Sequence, residues 1–218
     1  SGSAALAESM GIDRSRPLVV AGSTAPGEHA LLHGAVSLGT QLLCAPRKPE
    51  WFEQAARELP GCARRSRGDR GSTTDRFLLD SIGELRAAYA LADVVVVGRT
   101  FDPLGGSDMM EPVALGKATV VGPHTENFVD TAGALEDGGG LVRTSAEKLA
   151  PCLRALIEDP DRRAALAAAG REVIRVNQGA TDRHVELLLS LLPGRSMSPI
   201  ACTSASGSAA CRGLRAGA

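Results

Sequence analysis

Short apolar runs, each followed by a glycine- or proline-bearing loop and then by residues with helical spacing, recur along most of the chain. Leu18-Val19-Val20-Ala21 enters Gly22-Ser23-Thr24, and beyond Pro26-Gly27-Glu28 the apolar positions Ala30, Leu31, Leu32, Ala35, Val36 and Leu38 mark a helix. Gln41 to Ala45 reads as the next buried strand and ends at Pro46-Arg47-Lys48-Pro49. Trp51, Phe52, Ala55, Ala56 and Leu59 then outline an amphipathic helix. After a basic, polar stretch from Arg64 to Arg76, Phe77-Leu78-Leu79-Asp80 reads as strand, and a helix opens at Gly83-Glu84-Leu85 and runs to Leu91. Further strands are predicted at Val94–Val97, Ala118–Val121 and Gly140–Arg143.

Strands that are apolar throughout, alternating with amphipathic helices, describe a parallel sheet covered on both faces. The expected fold class is therefore α/β, a Rossmann-like, doubly wound, mainly parallel sheet. From Ser145 onward the pattern is helical: one helix from Ser145, a break at Asp159-Pro160-Asp161, a second over Asp161–Val176 and a third over Thr181–Leu192. Residues 1–16 are small, polar and charged and read as a linker or remnant; 17–192 form the domain; 193–218, rich in Ser, Gly, Ala and Arg, read as a disordered tail.

The 218 residues, 44% of them hydrophobic, suffice for one substantial core. A net charge of −1 gives no basis for nucleic-acid binding, and no apolar run approaches the ~20 residues that span a bilayer. No secretory signal is recognisable, and the chain opens on Ser-Gly-Ser rather than Met, which suggests that something upstream is missing. Its five cysteines are odd in number and form no CxxC pair, so reduced cytosolic thiols are expected rather than a zinc knuckle or a disulfide framework.

In open α/β sheets ligands bind outside the carboxyl ends of the strands, so the loops Gly22–Gly27, Pro46–Pro49, Ser81–Leu85 and Leu104–Glu111 converge on one edge. In Gly105-Gly106-Ser107-Asp108-Met109-Met110-Glu111-Pro112 the glycines allow close backbone approach to a ligand, the helix start favours phosphate, and Glu111 can accept from two ribose hydroxyls. A purely structural glycine turn is the alternative. Arg47 is either an anion clamp or a solvated strand-end arginine, and Gly83-Glu84-Leu85 either faces an anion or is simply a capped helix start. His29 and His33 have metal-ligand spacing without a third ligand, which favours two surface histidines. His124 lies past another strand end, and the arginines of 64–70 read as a solvated loop.

GSTAPGE (Gly22–Glu28), APR (Ala45–Arg47), LDSIGEL (Leu79–Leu85), LGGSDMMEPVALGK (Leu104–Lys117) and GPHTENF (Gly122–Phe128), taken in order, resemble the C-terminal half of the 3-deoxy-D-manno-octulosonic acid (Kdo) transferases. The resemblance implies the donor-binding half of a two-domain GT-B glycosyltransferase that transfers Kdo from CMP-Kdo to a lipid A precursor in lipopolysaccharide synthesis. Carried over, it implies CMP contacts from Pro46, Arg47, Gly83, Glu84, Leu85, Asp108, Met109, Met110 and Glu111, with Arg47 and the Gly83 helix start at the phosphate, Glu111 at the ribose, and no metal. It also implies a cytoplasmic location, or peripheral contact with the inner membrane through an N-terminal domain that would hold the acceptor, the membrane anchor and the catalytic glutamate. No catalytic residue is expected in this chain, which is expected to be inactive alone, as a fragment, a split subunit or a decayed copy. Where the family has His-Asn after the paired glycines, Ser107-Asp108 stands here, and an ionised Asp108 would repel phosphate unless it faces the ribose or base. The alternatives are another GT-B nucleotide-sugar transferase and a noncatalytic nucleotide-binding module.

Overall fold

Val94 to Val97, four β-branched residues in succession, sit with their side chains wholly buried inside a seven-stranded parallel sheet. The computed structural model describes residues 2–71 and 74–177 together with Leu189. In chain order its elements are α1 (Gly2–Met10), β1 (Leu18–Thr24), α2 (Glu28–Ala35), β2 (Gln41–Pro46), α3 (Phe52–Glu58), β3 (Ala63–Arg64), β4 (Arg76–Leu78), α4 (Leu85–Leu91) and β5 (Val94–Val97). There follow α5 (Met110–Ala114), β6 (Ala118–Val121), α6 (Val129–Asp137), β7 (Val142–Arg143), α7 (Ala146–Glu158) and α8 (Pro160–Asn177).

The strands lie in the order β3-β4-β2-β1-β5-β6-β7, with parallel pairing throughout. The period of two along a strand sends alternate side chains to opposite faces. Leu18, Val20, Val95 and Val97 join one core layer, and Val19, Ala21, Val94 and Val96 join the other. Helices α1, α4, α5 and α6 cover the first face, and α2, α3 and α7 the second. The expected α/β class is the observed one.

Three elements escape the hydrophobic pattern. Residues 1–16, read as a linker, contain α1, whose Leu6, Ala7 and Met10 form a stripe buried against α4; such a stripe is too short to announce itself as an apolar run. The basic stretch hides β3, because Arg64 is buried by pairing rather than by apolarity. Its Nε donates to Asp80 Oδ2 at 2.7 Å, its Nη2 reaches Glu53, and Asp80 also accepts from the N–H and Oγ of Ser66. Burial alone would raise the Asp80 carboxyl, but these donors hold it below the ordinary carboxylate range. Polar α6 buries only Ala132 and Leu135. The expected helix over 181–192 and the tail 193–218 lie outside the described residues, apart from helical, exposed Leu189.

Two side chains at the start of α2 tie the loops of the sheet's carboxyl edge together. Glu28 is 1% exposed and accepts four backbone N–H groups: Ala25 and Arg99 on Oε2, at 2.9 and 2.8 Å, and Thr100 and Phe101 on Oε1, at 3.0 and 3.2 Å. His29, fully buried rather than at the surface, spans Thr24 Oγ1 at 2.8 Å and Glu58 Oε2 at 3.0 Å. The hydroxyl, imidazole and carboxylate form a chain like that of a hydrolase, yet neither Thr24 nor His29 has an exposed surface for substrate. His33 faces Arg76 Nε instead, and among the described residues no three metal-ligating groups gather.

Glu28→Gln preserves shape but turns an NH2 toward N–H donors. It should lower unfolding free energy by about 2–4 kcal/mol in denaturant titration, the scale for leaving two buried donors unsatisfied; a change below ~0.5 kcal/mol would show that water substitutes for the carboxylate. Burial lowers the His29 pKa below its ordinary 6.5, so the unfolded chain takes up a proton that the native site refuses. Stability should therefore fall as pH drops from about 6.5 toward the depressed native value. His29→Gln should flatten that part of the pH–stability curve, and an unaltered slope would assign it to other groups.

Candidate functional site

Strand order reverses between β1 and β5: the chain leaves β1 toward one edge and returns to begin the other half at β5. Loops leaving two such strands diverge to opposite faces of the sheet and open a crevice between them. A cleft of 330 Å³ lies there, lined by Ser23, Arg47, Leu85, Arg99, Gly106, Ser107, Asp108, Glu111, Asn127 and Phe128. Its walls thus come from the end of β1 and from segments after β2, β4, β5 and β6, the convergence expected of this edge.

The glycine loop is held from several sides. Gly105 and Gly106 adopt φ of 78° and 83°, and a Cβ at Gly106 would stand 3.1 Å from the His124 carbonyl, so both positions need glycine. Gly106 N–H donates to the Arg99 carbonyl at 2.8 Å, and Asn127 N–H donates to Gly105 at 3.0 Å. Asp108 is exposed, and its Oδ1 accepts the Met110 N–H at 2.8 Å at the start of α5. One oxygen of the carboxylate that could repel phosphate is thereby committed to the helix start.

Arg47 stands just beyond buried Pro46, its N–H fixed to the Thr24 carbonyl at 2.9 Å. Its guanidinium is exposed on the cleft wall and has no side-chain partner among the described residues. Half-buried Glu111 faces the same space and receives Arg86 Nη1 at 3.3 Å. Tyr89, in α4, is 1% exposed. Burial foremost, then the charges of Glu111 and Asp108, push its phenol up, away from ionisation. Tyr89 also lies over Gly22, where any Cβ would collide with its ring and hydroxyl.

Of the residues expected at the site, Arg47, Leu85, Asp108 and Glu111 line this cleft. Met109 is fully buried in the core and Pro46 is buried in β2, so their side chains are positional supports. Glu84 is engaged by Arg65 at 3.0 Å and Ser81 at 2.6 Å, and exposed Gly83, φ 90°, falls outside the lining. Met110 turns to a separate 210 Å³ cavity between α5, α6 and α8. Arg99 and Ser23 were not singled out from the sequence. Each has a left-handed backbone, φ 62° and 57°, and each follows a glycine at a strand end, which is the one signal that marked them. The other proton acceptors near this edge are engaged too: Glu28 holds backbone N–H groups, and His124 Nδ1 meets Glu126 at 3.0 Å.

No family model matches the chain. It is 35% identical over 189 residues to the 3-deoxy-D-manno-octulosonic acid transferase of Bordetella pertussis, spanning 79% of this chain and 44% of that protein. The enzyme of the same name from Haemophilus influenzae is 32% identical over 186 residues, again 79% of this chain and 44% of the relative. A crystal structure of the C-terminal CMP-Kdo binding domain of WaaA from Acinetobacter baumannii matches with a TM-score of 0.73 and 27% identity, over 79% of this chain and 95% of that domain. The chain therefore spans somewhat less than half the length of the curated relatives it matches. Its fold is the Rossmann-like domain of GT-B glycosyltransferases.

Proposed function

We propose, from the homology of this chain to the C-terminal part of the Kdo transferases, that its switch-point cleft binds the CMP moiety of CMP-Kdo and serves transfer of Kdo to a lipid A precursor. The observation that carries the reading is the pairing of an uncommitted Arg47 guanidinium with the Glu111 carboxylate on the walls of one cleft. A cation fit for one phosphate and an acceptor fit for two vicinal hydroxyls are the two groups a nucleoside monophosphate requires. One phosphate diester carries one negative charge, which a guanidinium balances without a metal ion.

Glu28, Asp108, Glu111 and His124 all have structural partners, so we place the general base and the acceptor site outside the described residues. Among the described residues no helix is long and apolar enough to cross a membrane. A lipid acceptor requires contact with a membrane surface, and we propose the cytoplasmic face of the inner membrane as that surface.

Calorimetry with CMP, followed by displacement with UDP and GDP, tests the reading. Absence of CMP binding at millimolar concentration, or a preference for UDP, would overturn it, the latter in favour of a different nucleotide-sugar transferase. Arg47→Ala should weaken CMP by about 1.5–3 kcal/mol at unchanged melting temperature, since a charge-assisted hydrogen bond is lost from an exposed side chain. Unchanged affinity would put the anion clamp elsewhere. Glu111→Gln should weaken CMP far more than its 2′,3′-dideoxy analogue, and equal losses would remove the ribose assignment.

A further inference from the structure

Arg99 occupies a backbone conformation that arginine seldom adopts. Its φ of 62° strains a non-glycine residue, and glycine would make the same turn without that strain. The conformation is enforced from three directions: Arg99 N–H donates to Glu28 Oε2, the Arg99 carbonyl accepts from Gly106 N–H, and Arg99 Nη2 donates to the Leu104 carbonyl, each at 2.8 Å. What arginine adds at this position is a half-buried guanidinium on the cleft wall.

Its bond to Leu104 uses one of five N–H donors, and among the described residues no carboxylate pairs with it. The cleft therefore carries two permanent cations, Arg47 after β2 and Arg99 after β5, neither in an ion pair among the described residues, beside Asp108, which accepts the Met110 N–H, and Glu111, which is paired with Arg86. A linked phosphate diester accounts for one of the cations. The remaining guanidinium, with donors left beyond its bond to Leu104, can take a second anionic group on the same ligand. A nucleotide joined to a 2-ulosonic acid, a sugar acid of the Kdo type, has one, because its anomeric carbon bears both the phosphate oxygen and the carboxylate.

We propose that Arg99 recognises the carboxylate of the donor's sugar acid and so makes the cleft prefer CMP linked to such a sugar over CMP itself. This rests on the reading that the cleft binds a CMP-linked donor. The test compares CMP, CDP and CMP-Kdo on the wild-type chain, Arg99→Gly and Arg99→Lys, with melting temperature measured alongside. Arg99→Gly should weaken CMP-Kdo by about tenfold or more and CMP by less than about threefold, as expected when one charge-assisted contact is removed. The melting temperature should hold or rise, because the left-handed strain goes with the side chain. Arg99→Lys should fall between, keeping the charge without the fork.

Equal losses for CMP and CMP-Kdo, or none for either, would overturn the assignment. A selective loss for CDP instead would assign Arg99 to a second phosphate and overturn the carboxylate. A wild-type chain that binds no CMP would sink the donor reading together with this proposal, whereas one that binds CMP while the variants treat CMP and CMP-Kdo alike would sink only the role of Arg99.

Discussion

One buried carboxylate organises the working edge of this fold. Glu28 opens α2, takes an N–H from its own loop at Ala25, and takes three more in succession from Arg99, Thr100 and Phe101 beyond β5. The two loops come from adjacent central strands that send the chain in opposite directions, so nothing in the sheet itself holds them together. The carboxylate supplies that link at no cost in unsatisfied polarity, since its oxygens meet donors and the donors have no helical or strand partner of their own. The cleft's shape follows. The turn that Glu28 fixes at Arg99 sets that residue's carbonyl where Gly106 can bond to it, and the glycine loop then carries Asp108 and Glu111 to the rim.

Charges at this edge fall into two groups. Arg64, Arg65 and Arg86 are spent on Asp80 and Glu53, on Glu84, and on Glu111, and they brace the surrounding structure. Arg47 and Arg99 have no such carboxylate and both line the cleft. Two guanidinium groups without an ion pair among the described residues, next to a Glu111 that is taken by Arg86, let the cleft receive an anionic ligand. Asp108, the acidic residue that opposes this, turns one oxygen to the Met110 N–H, which limits its repulsion of a phosphate.

Much of the architecture was legible because buried parallel strands must be apolar along their whole length. The runs at Leu18, Gln41, Phe77, Val94 and Ala118 identify themselves, and their parallel order makes the carboxyl edge the place to look. What stayed hidden depends on long-range pairing. Arg64 enters β3 only because Asp80 and Glu53 neutralise it, and α1 needs the surface of α4 to bury its three apolar residues. At the site, Arg47, Asp108 and Glu111 could be named from their loops, whereas Glu28 looks like any first-turn helix carboxylate until its partners some 70 residues away are seen. Arg99 was concealed in the same way: its significance lies in a backbone angle, and only the glycine before it hinted at one.

Central to the account is that the ligand enters the β1/β5 crevice rather than the apolar cavity between α5, α6 and α8. An amide NMR titration with CMP locates it directly. The account predicts shift changes at Ser23, Arg47, Arg99, Gly106 and Asp108, fading away from this edge of the sheet. Changes centred instead on Asp130, Ala134 and Asn177, with the crevice unmoved, would contradict it.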